Sequence, residues 1–373
     1  MTSELNAQTP AGRPRLDSLT GLRWWAAFGV FLYHMLNFAP IPIVSEFAPY
    51  GNAGVAFFFI LSGFVLSYSA SGRATSVRNF YWRRFARIYP AHFIALLLAI
   101  PVFYSFSPDP QQDWVKPVSF GILLLSVFLV QGWSRDPTIL FSGNPAAWTL
   151  TVEAFFYMLH PWLNRTLRVL NKTVTIVVIL VALTSAFGYQ ISIVLAPESW
   201  WAGLPLPLVR LSEFIIGMGL ARLVWLGVRL SVPPLLSYVL LAGFIIWQVI
   251  GTRKGFDDWF FVWSKALHEQ VLICLFVLII LTVAHRDLRG GRSLLRSKPL
   301  LHLGAWSFAF YLVHATVMYA FLAFFGKQAA SFSNLIWYVP VFGIALLLSW
   351  VLYRFLEYPL EARMRRWGNT TLA

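Results

Sequence analysis

The stretch GLRWWAAFGVFLYHM, residues 21–35, carries Arg23 and His34 inside an otherwise apolar segment. The two stand eleven residues apart. At about 100° per residue that is close to three turns, so both fall on one helix face, roughly 16 Å apart along its axis and out of direct reach. An imidazole that titrates near neutral pH suits a general base. An ionisable group at bilayer depth is costly and usually lines a substrate path. The plainer reading is an arginine that snorkels to the interface and a histidine satisfied by a neighbouring helix.

A second cluster lies in NFYWRRFARIYPAHF, residues 79–93. Arg84 and Arg87 are three residues apart, on one helix face. With Arg78 and Arg83 they form a dense cationic patch. Such a patch either anchors a cytoplasmic loop or grips phosphate, since guanidinium forks bind it bidentately; spacing does not choose between the two. In GNPAAWTLTVEAFFYMLHPWL, residues 143–163, Glu153 interrupts an apolar helix. A buried carboxylate needs a partner. Glu153 can hold an arginine, orient a histidine, or serve a structural ion pair. Late in the chain, SFAFYLVHATV places His314 one turn after Tyr311. His92, His160 and His268 also sit in or near apolar runs. No pair has metal-ligand spacing, and there is neither a phosphate-cradling glycine loop nor a serine elbow. No metal is expected. The small residues Gly54, Ser62 and Gly63 in NAGVAFFFILSGFVLSYS suit close helix packing.

The elements that must position these groups are transmembrane helices. The 373 residues are 58% hydrophobic and only 12% charged, with a mean hydropathy of +0.67. Soluble domains carry about twice that share of charge. Apolar runs fall at about 22–39, 52–70, 88–104, 117–133, 148–164, 173–195, 204–226, 231–251, 262–284, 299–325 and 333–356. Most approach the roughly 20 residues that cross a bilayer. The fold class is therefore all-α: a polytopic bundle of about ten helices, with eleven as the alternative. A pI near 10.2 invites nucleic acid, but the basic residues sit in short loops between apolar runs, as in cytoplasmic loops of membrane proteins. Nucleic acid is excluded on that ground. The lone Cys274 rules out a disulfide framework, and the first apolar run does not read as a signal peptide.

Basic clusters set the orientation. They comprise Arg73, Arg78, Arg83, Arg84 and Arg87; Arg165, Arg168 and Lys172; Arg222 and Arg229; Arg286, Arg289, Arg292, Arg296 and Lys298; and Arg363, Arg365 and Arg366. The N-terminus is expected in the cytoplasm, with the protein multi-pass in the plasma membrane. The loops at 71–87 and 165–172 must share a side, yet three apolar runs separate them. If 117–133 is re-entrant or lies flat, ten crossings remain. The expected organisation is a polar tail over 1–20, a membrane domain over 21–366 and a tail over 367–373.

The ordered set of motifs resembles the membrane-bound acyltransferase 3 family, whose members O-acylate sugars, surface polysaccharides and glycosylated natural products. The resemblance runs from about Arg15 to Arg366. It rests on SLTGLRWWAAFGVFLYH with Arg23 and His34, FFFILSGFVLS, RRFARIYP with Arg84 and Arg87, WTLTVEAFFY with Glu153, SFAFYLVH, and RFLEYPLEAR. It implies an integral-membrane O-acyltransferase that takes an acyl group, usually acetyl, from cytoplasmic acyl-CoA. It implies that Arg23 and His34 are essential and that Arg84 and Arg87 serve the donor. Arg83 is read with them at the CoA phosphates. Glu153 or Arg23 would orient the site or balance charge. His34 acts as general base or, alternatively, through an acyl-histidine. Some relatives add an extracytoplasmic hydrolase-like domain, not expected here because the sequence stops seven residues after Arg366. The form SLTGLR is similar to actinobacterial versions, some of which acylate macrolides. The expected partners are acyl-CoA, a hydroxyl-bearing sugar or glycosylated acceptor, and the bilayer; homodimerisation is left open. The competing readings are a transporter or flippase of a glycan or lipid-linked substrate, which predicts inverted repeats not found here, and a small-molecule sensor.

Overall fold

The computed structural model describes residues 14–70 and 76–372; Arg73 and most of the expected N-terminal tail lie outside them. In chain order the helices are α1 (Asp17–Met35), α2 (Val44–Phe47), α3 (Gly54–Ser69), α4 (Val77–Phe103), α5 (Phe120–Val127), α6 (Pro137–Leu140), α7 (Trp148–Leu167) and α8 (Lys172–Leu195). They continue as α9 (Leu206–Val209), α10 (Leu211–Trp225), α11 (Pro234–Lys254), α12 (Trp259–Ala266), α13 (His268–Leu288), α14 (Lys298–Phe325), α15 (Leu335–Leu352) and α16 (Tyr358–Thr371). A π turn, Tyr353–Glu357, joins the last two. The described sheet is two short parallel strands, Tyr104–Ser105 with Lys116–Pro117.

Seven helical stretches are long and apolar enough to cross a membrane, and they contain α3, α4, α8, α11, α13, α14 and α15. Three further long helices, α1, α7 and α10, are less apolar or shorter. They carry Arg23 with His34, Glu153 with His160, and Glu213 with Arg222. The chain is thus a helical, multi-pass membrane protein. The apolar run 117–133 yields only the eight-residue α5, about 12 Å long against a ~30 Å core. That leaves ten long helices. Residues 17–20 belong to α1 and residues 367–371 to α16, so both expected tails are shorter than composition indicated. At the C-terminal end the reason is packing: Trp367 meets Trp82 at 4.8 Å between ring centroids, and the Trp82 indole donates to the Met364 carbonyl at 2.7 Å.

Counted as one crossing each, ten helices place the described basic clusters at the N-terminal end of the bundle. Contacts between distant segments agree. Asp287, at the end of α13, accepts from the Ser18 backbone N–H (2.8 Å) and hydroxyl (2.6 Å) at the start of α1. At the other end Arg253 pairs with Glu46 at 2.6 Å, and Asn334 donates to the Pro40 carbonyl at 2.8 Å.

The core forms where small residues let backbones meet. A Cβ on Gly63 of α3 would lie 2.1 Å from the Phe214 carbonyl oxygen, and one on Gly217 of α10 would lie 1.9 Å from that of Ile60. Only glycine permits that approach. The contact seats α3 against α10 and turns the neighbouring Ser62 into the interior.

Candidate functional site

Five helices, α1, α3, α4, α7 and α14, build a polar chamber inside the bundle. On α4, Phe85, Phe93 and Leu97 are exposed on one face while Ala86, Ile88, Ala91 and Ala95 are buried. Arg84 and Arg87 turn towards the buried side. With Arg23 of α1, Ser62 of α3, Glu153 and Tyr157 of α7, and Ser307 and Tyr311 of α14, they line a cavity of about 180 Å³. The structure thus brings together Arg23, Arg84, Arg87 and Glu153, from three helices well separated in sequence. Arg23 lines this interior space rather than snorkelling outward.

The three guanidinium groups differ in what holds them. Arg87 is ion-paired with Glu357 of the π turn and, at 3.1 Å, with Glu361 of α16; its guanidinium lies 5.5 Å from the Phe308 ring centroid. Arg84 has aromatic neighbours instead, Phe80 at 5.9 Å and Tyr157 at 5.7 Å, and its Nε is buried without a hydrogen-bond partner. Arg23 makes no ion pair among the described residues. Two cations therefore face the chamber uncompensated by direct contact, which is the environment an anionic ligand would complete.

Glu153 takes neither an arginine nor a histidine partner. Its Oε1 accepts from the Tyr157 hydroxyl and from the Ser62 hydroxyl at 3.3 Å. Arg83 does not join the others: it donates to Asn369 of α16 at 2.7 and 3.2 Å at the surface. Successive helix residues are about 100° apart, so Arg83 and Arg84 cannot share a face.

His34 lies beyond the chamber wall. It is the penultimate residue of α1, towards the opposite end from Arg23. On the face between them sit Ala27, Val30 and Phe31, all at most 1% exposed. The His34 ring turns into the bundle, where its Nδ1 is 2.8 Å from Nε2 of His314, with ring planes 9° apart. His314 is fully buried, and its Nδ1 is 3.1 Å from the Phe310 carbonyl oxygen. Ser307, Tyr311 and His314 recur at helical spacing on α14, so the chamber and the histidine pair are one turn apart. Tyr311 stands between them, lining the chamber while its ring centroid is 5.8 Å from that of His314.

Sequence reasoning missed Glu357, Glu361 and Tyr157, and noted His314 without pairing it. The signal for the glutamates was available: two acids four residues apart in LEYPLEAR, in an otherwise basic terminal segment. Among the described residues no three His, Cys, Asp or Glu side chains converge as metal ligands would.

Comparison with known proteins identifies the family. The chain is 33% identical over 322 residues to the acyltransferase MdmB of Streptomyces mycarofaciens, covering 82% of this chain and 79% of that protein. It is 28% identical over 329 residues to nodulation protein 10 of Rhizobium leguminosarum bv. viciae, covering 81% and 83%. It is 24% identical over 368 residues to the O-acetyltransferase OatA of Staphylococcus aureus, covering 93% of this chain and 57% of that longer protein. No solved structure matches. The model of the acyltransferase domain matches residues 16–354, from just before α1 to the π turn that carries the Arg87 partner. A match over nearly the whole bundle is not a chance motif, and the chain belongs to the acyltransferase 3 family.

Proposed function

We propose that the protein is an O-acyltransferase that moves an acyl group, acetyl in the simplest case, from acyl-CoA to a hydroxyl of a carbohydrate or glycosylated natural product such as a polysaccharide or macrolide. The observation that carries this reading is a chamber with Arg23, Arg84 and Arg87 in its wall, one helical turn from an inward-facing histidine pair. Names of relatives support O-acetyl transfer: one is an O-acetyltransferase, and another, from Listeria monocytogenes, a peptidoglycan O-acetyltransferase.

In this reading the donor enters from the side of the basic clusters, the cytoplasm, in the plasma membrane. Arg84 and Arg87 bind its anionic part, and Arg23 adds a third positive charge. The thioester arm passes Tyr311 to reach His34. His34 removes the acceptor hydroxyl proton as that oxygen attacks the thioester carbonyl. Glu153, fixed by Tyr157 and Ser62, balances charge in the chamber. No metal is needed for these steps. Arg83, bonded to Asn369 at the surface, has no part in them.

The test uses the purified full chain in lipid nanodiscs, acetyl-CoA, and a panel of glycosides. Thiol release that rises with acceptor is the expected result, and His34→Ala should abolish it while the protein still inserts and purifies normally. Full activity in His34→Ala and His34→Gln would remove the base. A protein that neither binds acetyl-CoA nor releases thiol from it would overturn the donor assignment and favour a carrier.

A further inference from the structure

The two hydrogen bonds along the histidine pair fix where its protons sit. The Phe310 carbonyl can only accept, so Nδ1 of His314 carries a hydrogen. In a neutral ring the other nitrogen, Nε2, is then a bare lone pair. That nitrogen faces Nδ1 of His34 at 2.8 Å, so His34 must donate from Nδ1. A neutral imidazole has one N–H, and the lone pair of His34 therefore stands on Nε2, which no described group hydrogen-bonds. The reverse assignment sets the His314 Nδ1 lone pair against the carbonyl oxygen. The rings packed around the pair belong to Phe31, Tyr33, Phe310 and Tyr311. None is a carboxylate that would hold an extra proton on the resting pair.

We propose that His314 is a positioning residue that locks His34 in the tautomer whose Nε2 accepts the substrate proton. This rests on the reading of His34 as general base. The acceptor O–H proton passes to His34 Nε2 while the oxygen bonds to the thioester carbonyl carbon. The C–S bond then breaks and the departing thiolate takes the proton from Nε2. Nδ1–H of His34 stays donated to His314 throughout, and the chain ends on the Phe310 carbonyl, whose dipole favours the transient imidazolium.

Selective ¹⁵N-histidine NMR of the full chain in nanodiscs reads the tautomer without any acceptor, with His34→Gln assigning the His34 signals. The expected pattern is a protonated Nδ1 and an unprotonated Nε2. It should persist in His314→Gln, whose side-chain oxygen can accept in place of Nε2, and be lost in His314→Leu. Turnover, read as thiol release from acetyl-CoA, should fall about 100-fold in kcat for His314→Leu with little change in KM, and recover to within roughly 10-fold in His314→Gln. A hydrogen on Nε2 of His34 in the wild type, or an unchanged tautomer in His314→Leu, overturns the proposal. If the leucine variant does not fold, the wild-type and glutamine spectra still decide it. An active His34→Gln beside an inactive His314→Gln would instead exchange the roles of the two rings. Full activity in His34→Ala with the expected tautomer pattern would sink the base reading alone.

Discussion

Arg83 and Arg84 are adjacent in the chain but differ in environment. Arg83 is spent on a surface contact with Asn369; Arg84 faces the chamber with an unpartnered Nε. Loss of a hydrogen bond to a charged group is worth about 1.5–3 kcal/mol, or roughly 10- to 100-fold in affinity. Arg84→Ala should therefore raise the acetyl-CoA KM by about that factor, and Arg83→Ala by less than about 3-fold, in the same thiol-release assay. Equal effects would mean that both serve as diffuse charge at the interface. Arg84→Lys should recover little, because an ammonium cannot reproduce the two-pronged guanidinium contact. Glu153 offers a second contrast. Glu153→Gln keeps a carbonyl oxygen to accept from Tyr157 and Ser62 but removes the negative charge opposite Arg23 and Arg84. The expected outcome is retained folding with reduced turnover; unchanged turnover would make Glu153 a packing residue.

At the scale of elements, the α3–α10 contact seats the helix whose Ser62, beside Gly63, lines the chamber. A methyl on Gly217 has only the Ile60 backbone to meet, at 1.9 Å, and a backbone cannot swing aside as a side chain can. Gly217→Ala should destabilise by about 1–3 kcal/mol and lower turnover as Ser62 shifts. Gly243 of α11 has open space where its Cβ would be, so Gly243→Ala should gain up to about 1 kcal/mol from helix propensity. Thermal unfolding of the two variants in one detergent checks the pair; a neutral Gly217→Ala would show that the helices can part without cost. This scale also marks what the sequence could reveal. Hydropathy and charge located nearly every long helix, and the i, i+3 spacing of Arg84 and Arg87 put both on one face. The reading of 117–133 as re-entrant or flat comes from charge parity, and the eight-residue α5 fits it; composition alone flags an apolar run and not how short its α-helix is. The pairings of Arg87 with Glu357 and of His34 with His314 were invisible for a different reason. Each joins residues about 270 or more positions apart, and helical periodicity says which face a residue takes, not which helix meets it.

For the whole molecule, the number of crossings and the charge distribution make one claim together. Ten helices return the chain to the side on which it began, and every described basic cluster named above then falls on that side. With eleven, one cluster would face away, against the rule that cationic loops stay in the cytoplasm. The interhelical contacts impose the same division, since Ser18 meets Asp287 at one end while Glu46 meets Arg253 at the other. Cys274 is the sole cysteine, so a Cys274→Ser background accepts single reporters in four exposed loops: Ser231→Cys, Asp257→Cys, Arg292→Cys and Lys327→Cys. In intact cells an impermeant maleimide should block positions 257 and 327 and spare 231 and 292, which react only with a permeant reagent. A donor confined to the cytoplasm must approach the arginine chamber from the side of 231 and 292. If the impermeant reagent reached those two positions and spared the others, the chamber would open away from the acyl-CoA pool, and the chemistry assigned to Arg84 and Arg87 would have to be given up with the orientation.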